Sequence, residues 1–167
     1  MKQTRNPSRA LPLPALVGGG VTLSAALLTR WTVGSPLVVL HRLEALPILP
    51  PLWFMSLLWL ASFALVGLSL GYLSACTEGN PKREALFWRG STFLVLATVF
   101  SLLWYTLLFG KFYPLPSWLC LLFSAVAALA CAASWMHIKR APAVTVLLFA
   151  LWQTYLLLLQ LTVLFHT

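Results

Sequence analysis

Aspartate is absent from this chain and glutamate occurs only three times, against eleven lysines and arginines. Charged residues fill 8% of the 167 positions, where a soluble domain devotes about a quarter of its residues to charge. A chain so poor in charge has no means of covering a water-facing surface. The centres of its apolar runs also lack every ionisable residue, which argues against an ion-coupled transporter. The three cysteines, Cys76, Cys120 and Cys131, show no Cys-x-x-Cys or Cys/His spacing and read as small buried hydrophobes. His41, His137 and His166 are scattered near segment ends and make no ligand set. No Gly-rich phosphate loop, metal cluster or Ser/His/Asp arrangement is present.

What is abundant is hydrocarbon. Sixty per cent of the residues are hydrophobic, in long runs rather than amphipathic stripes, which is how helices facing lipid read. The net charge of +8 comes from cations between those runs, with no basic, aromatic-laced face, so nucleic acid is not the expected partner. The lipid bilayer is. The expected fold is all-α: a single domain over 1–167 made of five transmembrane helices at about 11–31, 50–74, 85–109, 117–136 and 143–165.

The first run follows Lys2, Arg5 and Arg9, as a signal peptide would, but it is long for one and has no clear Ala-x-Ala site before Arg30. It is taken as helix 1. A linker from about Thr32 to Leu49 carries Pro36, His41, Arg42, Glu44 and Pro47. Helix 2 opens at Pro50 and Pro51, because proline is tolerated in a first helical turn. Gly110, Lys111, Pro114 and Pro116 are assigned to the turn before helix 4, and His137 to Pro142 to the turn before helix 5. Five spans put Lys2, Arg5, Arg9, Lys82, Arg83, Arg89, Lys139 and Arg140 on one side and Arg30, Arg42 and Lys111 on the other. Eight against three places the N-terminus in the cytoplasm. The bacterial cytoplasmic membrane is the expected host, with an organellar membrane as the alternative.

Eight tryptophans are the remaining peculiarity. Trp31, Trp53, Trp88 and Trp118 lie near segment ends, where interfacial aromatic belts form. On helix 2, Trp59, Phe63, Gly67 and Gly71 follow at four-residue steps and share a face, with a Gly-x-x-x-Gly helix-packing surface on one half. Helix 3 offers Ala97, Ser101, Trp104 and Leu108, and helix 5 offers Phe149, Trp152, Tyr155 and Leu156, by the same geometry. Converging, these faces would line an aromatic cavity with Ser101 among its few polar handles, suited to a large, flat, apolar ligand. The alternative is that the same aromatics simply fill a bundle.

These residues resemble the TspO or translocator protein family, also called tryptophan-rich sensory proteins and peripheral benzodiazepine receptors. Pro50, Pro51, Trp53, Trp59, Phe63 and Gly67 match its helix 2 signature. Trp104 to Gly110, reading Trp-Tyr-Thr-Leu-Leu-Phe-Gly, is similar to the family's Trp-x-x-x-Phe-Phe-Gly, and Phe149, Trp152 and Tyr155 resemble its Tyr-x-x-Trp-x-x-Phe. Trp135 and Ala143 fall at family-like distances. The match runs through helices 2 to 5 in order. Departures concentrate around the cavity: Ile48 stands for a Trp, Ala97 and Ser101 for a Gln and an Asn, Leu156 for a small Ala and Gln160 for Asn. The family's sterol pattern is missing from helix 5, although Leu103, Tyr105 and Lys111 satisfy its loose expression.

The resemblance implies a divergent member that binds porphyrins, haem or sterol-like molecules in the bundle and regulates or traffics them, usually as a homodimer. It implies ligand-binding roles for Trp59, Phe63, Ser101, Trp104, Phe149, Trp152, Tyr155 and Leu156, with porphyrin or haem as ligand rather than resident cofactor. Some bacterial members are reported to degrade protoporphyrin in light through two tryptophans that correspond to Trp59 and Trp152. A structural or assembly subunit, with Gly67 and Gly71 gripping a partner helix, is the alternative from another class.

Overall fold

Each long apolar run becomes a helix in the computed structural model of the chain, which describes residues 12–33, 51–77 and 79–166. Among these residues stand α1 (Pro12–Val33), α2 (Leu52–Thr77), α3 (Pro81–Tyr105), α4 (Pro114–Met136) and α5 (Arg140–His166), with no strand. All five are long and apolar enough to cross a membrane, so the chain is a multi-pass integral membrane protein. Pro50, Ile48 and most of the expected linker, with His41, Arg42 and Glu44, lie outside the described residues. So do Lys2, Arg5 and Arg9.

Pro51 stands just before α2, which begins at Leu52 rather than at the proline pair, and the starts of α3, α4 and α5 differ from the expected ones for one physical reason. Proline lacks the N–H that a first turn leaves unpaired in any case, so it opens helices as readily as it closes them. Thus α3 begins at Pro81 rather than Ala85, with Asn80 as its cap: the Asn80 side chain accepts from the Arg83 N–H at 3.3 Å. Glu84 then falls in the first turn, where the helix dipole favours a carboxylate. In the same way α4 begins at Pro114 rather than Ser117, and α5 at Arg140 with Pro142 in its first turn. Between α2 and α3 the chain reverses through Gly79, whose φ of 86° lies in the left-handed region that glycine adopts freely.

The end of α3 widens into a π turn, Thr106–Gly110. Lys111 and Phe112 then reverse the chain, and the Tyr113 N–H returns to the Leu107 carbonyl at 2.9 Å.

Around the bundle the helices neighbour one another in the order α1, α2, α5, α4, α3, with α3 closing the ring against α1 and α2. The α2–α3 and α4–α5 connections share one end, here called the connection end. The tightest approach is between α1 and α2. A Cβ on Gly67 would overlap the Gly18 carbonyl, and one on Gly71 would overlap the Pro14 carbonyl. Backbones this close leave room for the Thr22 hydroxyl to donate to the Phe63 carbonyl across the seam at 2.7 Å. A second close fit joins α3 to α4, where the buried Trp135 indole covers Gly90 and stacks on Phe87 at 6.3 Å and 6°.

Candidate functional site

The residues singled out in the sequence separate into two environments. Trp59, Phe63, Ser101, Trp104, Phe149 and Leu156 are buried in the bundle interior. Their aromatic rings are in direct contact. Trp59 stacks on Tyr105 at 4.8 Å and 21° and leans on Phe63 at 4.9 Å. Phe63 meets Phe149 edge-on at 5.9 Å, and Trp104 meets Tyr105 at 6.2 Å and 71°. Tyr105 is the aromatic that joins these pairs, and sequence reasoning left it out of the site. It also divides the loose sterol pattern, since Leu103 is exposed to the lipid side while Tyr105 is buried.

Several polar groups inside the bundle pair across helices. Gln153 donates to the Ser101 hydroxyl at 2.8 Å, and Ser124 donates to the Ala97 carbonyl at 2.8 Å. The Trp104 indole donates to Gln160 Oε1 at 2.8 Å, while Gln160 Nε2 donates to the Pro114 carbonyl at 2.7 Å and to Ser117. Gln153 went unnoticed in the sequence because an amide is not ionisable, and a search for intramembrane charge passes over it. Among the described residues the indole N–H groups of Trp59, Trp118, Trp135 and Trp152 find no acceptor, and Gln153 Oε1 finds no donor.

The second environment is a groove of about 460 Å³ between α2 and α5. Phe149 forms its floor. Trp152 and Tyr155, stacked at 5.4 Å and 27°, form one wall, and Leu58, Ala61 and Leu65 form the other. Ser62 and Thr145 are its polar members, each already donating along its own helix, to the Trp59 and Ala141 carbonyls. The outer rim includes Leu65, Leu148 and Leu151, all exposed, so the groove opens sideways towards lipid. Its volume lies within the range of small-molecule sites. Trp59 and Trp152, expected to work as a pair, therefore sit in different surroundings: one in the packed interior, the other in the groove wall.

A larger crevice of about 690 Å³ separates α1, α2 and α3 and includes Glu84 and Trp88. Among the described residues no cluster of His, Cys, Asp or Glu could hold a metal ion. Gly67 and Gly71 face α1 of the same chain.

The sequence profile of the TspO/MBR family matches residues 11–166. The chain belongs to the TspO/MBR family. Searches of curated proteins and of solved structures return no match. Within this TspO/MBR chain the family-like residues of α2, α3 and α5 account for the aromatic interior, and those of α5 alone for the groove wall.

Proposed function

We propose that this TspO/MBR protein binds a flat, hydrophobic ligand of the tetrapyrrole class in the groove between α2 and α5, and regulates or traffics it. The observation that carries the reading is the Trp152–Tyr155 stack standing over Phe149 in an open groove, since aromatic faces offer broad, rigid contact to a planar ring system. Haem, porphyrins and sterol-like molecules share the apolar body that such a wall suits. Membership of the family supports the same ligand classes.

Binding and trafficking fit the groove better than turnover does. Among the described residues its lining holds no carboxylate, histidine or lysine to move a proton. A homodimer, which the family resemblance implies, would have to use a surface other than Gly67 and Gly71, because α1 occupies that face.

The test is a titration of the purified protein with protoporphyrin, read by tryptophan fluorescence. Saturable quenching in the wild type, weakened in Trp152→Ala and in Ala61→Phe, supports the reading. Absence of saturable quenching in the wild type sinks it.

A further inference from the structure

Among the described residues no lysine, arginine, histidine, aspartate or glutamate lines the α2–α5 groove. A ligand that carries an acid group must therefore hold that group outside the groove, because an unpaired carboxylate in hydrocarbon is strongly disfavoured. The two ends of the seam differ. Beyond Phe54 and Tyr155, the described residues of α2 and α5 contain neither lysine nor arginine. Towards the connection end, the groove face of α2 continues from Leu65 to Tyr72 and on to Cys76. Seven residues make about two full turns, so Tyr72 lies on the same face roughly 10 Å further along.

Lys139 occupies that position. Its ammonium donates to the Tyr72 hydroxyl, stands 4.5 Å from the centre of the Tyr72 ring and lies 3.8 Å from Cys76 Sγ. The next residue, Arg140, begins α5, and Thr145 five residues later lines the groove. Lys139 thus sits at the mouth of the seam that α2 and α5 form. It is exposed, and its three donors leave it able to take up an anion.

Resting on the reading that the groove holds a planar ligand, we propose that Lys139, seated on Tyr72, binds the carboxylate of an amphipathic ligand whose apolar body lies in the groove. The class is a flat hydrophobe with its acid groups on one edge. Tyr72 is the positioning residue: it holds the ammonium over the seam instead of letting it extend into water. The hydrogen bond to Tyr72 also pushes the Lys139 pKa upward, which keeps the charge in place. Arg140 shares this end of the bundle, but five residues at about 100° each turn its position well away from Thr145.

The experiment compares protoporphyrin IX with its dimethyl ester, the same ring without the acid groups, on the full chain in phosphatidylcholine nanodiscs. Lys139→Gln is expected to weaken the free acid about fivefold to tenfold, the scale of one partly exposed charge-assisted contact, and to leave the ester unchanged. Lys139→Arg should restore free-acid binding, and Arg140→Gln and Arg30→Gln should leave both ligands unaffected. Wild-type affinity of the free acid for Lys139→Gln would overturn the inference while leaving the groove reading intact. Equal loss of acid and ester would also overturn it, because that pattern reports a disturbed groove. If neither porphyrin binds the wild type, the groove reading itself fails and the inference goes with it.

Discussion

Trp104 and Gln160, 56 residues apart in the chain, are joined by an indole-to-amide hydrogen bond of 2.8 Å inside the bundle. The same amide also holds the start of α4 through the Pro114 carbonyl and Ser117, so one side chain ties α3, α4 and α5 together. Gln160→Leu removes all three bonds and leaves the Trp104 N–H and Ser117 without this partner. The expected cost is about 1–2 kcal/mol, seen as a lower melting temperature in detergent. Gln160→Asn, which restores the residue usual in the family, keeps the chemistry on a shorter arm and should recover part of that loss. Equal stability of Gln160→Leu and wild type would refute this account.

Glycine substitutions should separate sharply by position. Gly67→Val places branched carbon where the Gly18 carbonyl and the Thr22 hydroxyl lie, forcing α1 away from α2 at a cost of about 1–3 kcal/mol. A Cβ on Gly20 meets nothing within 4 Å, so Gly20→Ala should be neutral or slightly stabilising. Reversible unfolding in mixed micelles would measure both, and similar losses at the two sites would show that the seam is not the cause.

The two tryptophans expected to act together should part company. Trp59→Phe removes the stack on Tyr105 from the interior and should lower stability while leaving porphyrin affinity within about twofold. Trp152→Phe keeps an aromatic wall but shrinks it, so its effect should fall on affinity and spare the melting temperature. Parallel melting curves and quenching titrations give the comparison. The reverse pattern would place the ligand in the interior.

Lys139 should acylate slowly. Its pKa is raised above the ordinary 10.5, first by the hydrogen bond to Tyr72, so at any pH below that value less of it is the neutral amine that attacks an activated ester. Mass spectrometry after brief labelling near pH 8.5 follows the reaction at Lys139. Tyr72→Phe removes the hydrogen bond, lowers the pKa and should speed the reaction. An unchanged rate in that variant would mean that the tyrosine does not hold the amine.

The helices were legible because hydrocarbon length and charge sparsity are properties of a chain taken alone. The faces were legible only by halves. Four-residue steps put Trp59, Phe63, Gly67 and Gly71 on one side of α2, yet no periodicity says whether α1 or another molecule meets the glycines. Trp152 and Tyr155 share a face with Phe149, but how far α5 is rotated against α2 decides that all three border a groove while Phe149 also touches Phe63. That rotation comes from side chains on both helices at once. The pairing of Gln153 with Ser101 was hidden for the same reason, since neither residue stands out in its own run. Pro81, Pro114 and Pro142 misled because proline marks helix starts and turns alike.

The order of helices around the ring has a consequence for biogenesis. One wall of the groove belongs to α2 and the other to α5, so the site is split between an early helix and the last one in the described chain. While α3 and α4 are being inserted, the Leu58 to Leu65 face of α2 waits in the bilayer without its partner. The groove itself is complete only once Trp152 and Tyr155 have entered. A nascent or truncated chain stopped before α5 offers that bare face to lipids, chaperones and proteases instead, so a groove of this shape exists only after α5 has been made.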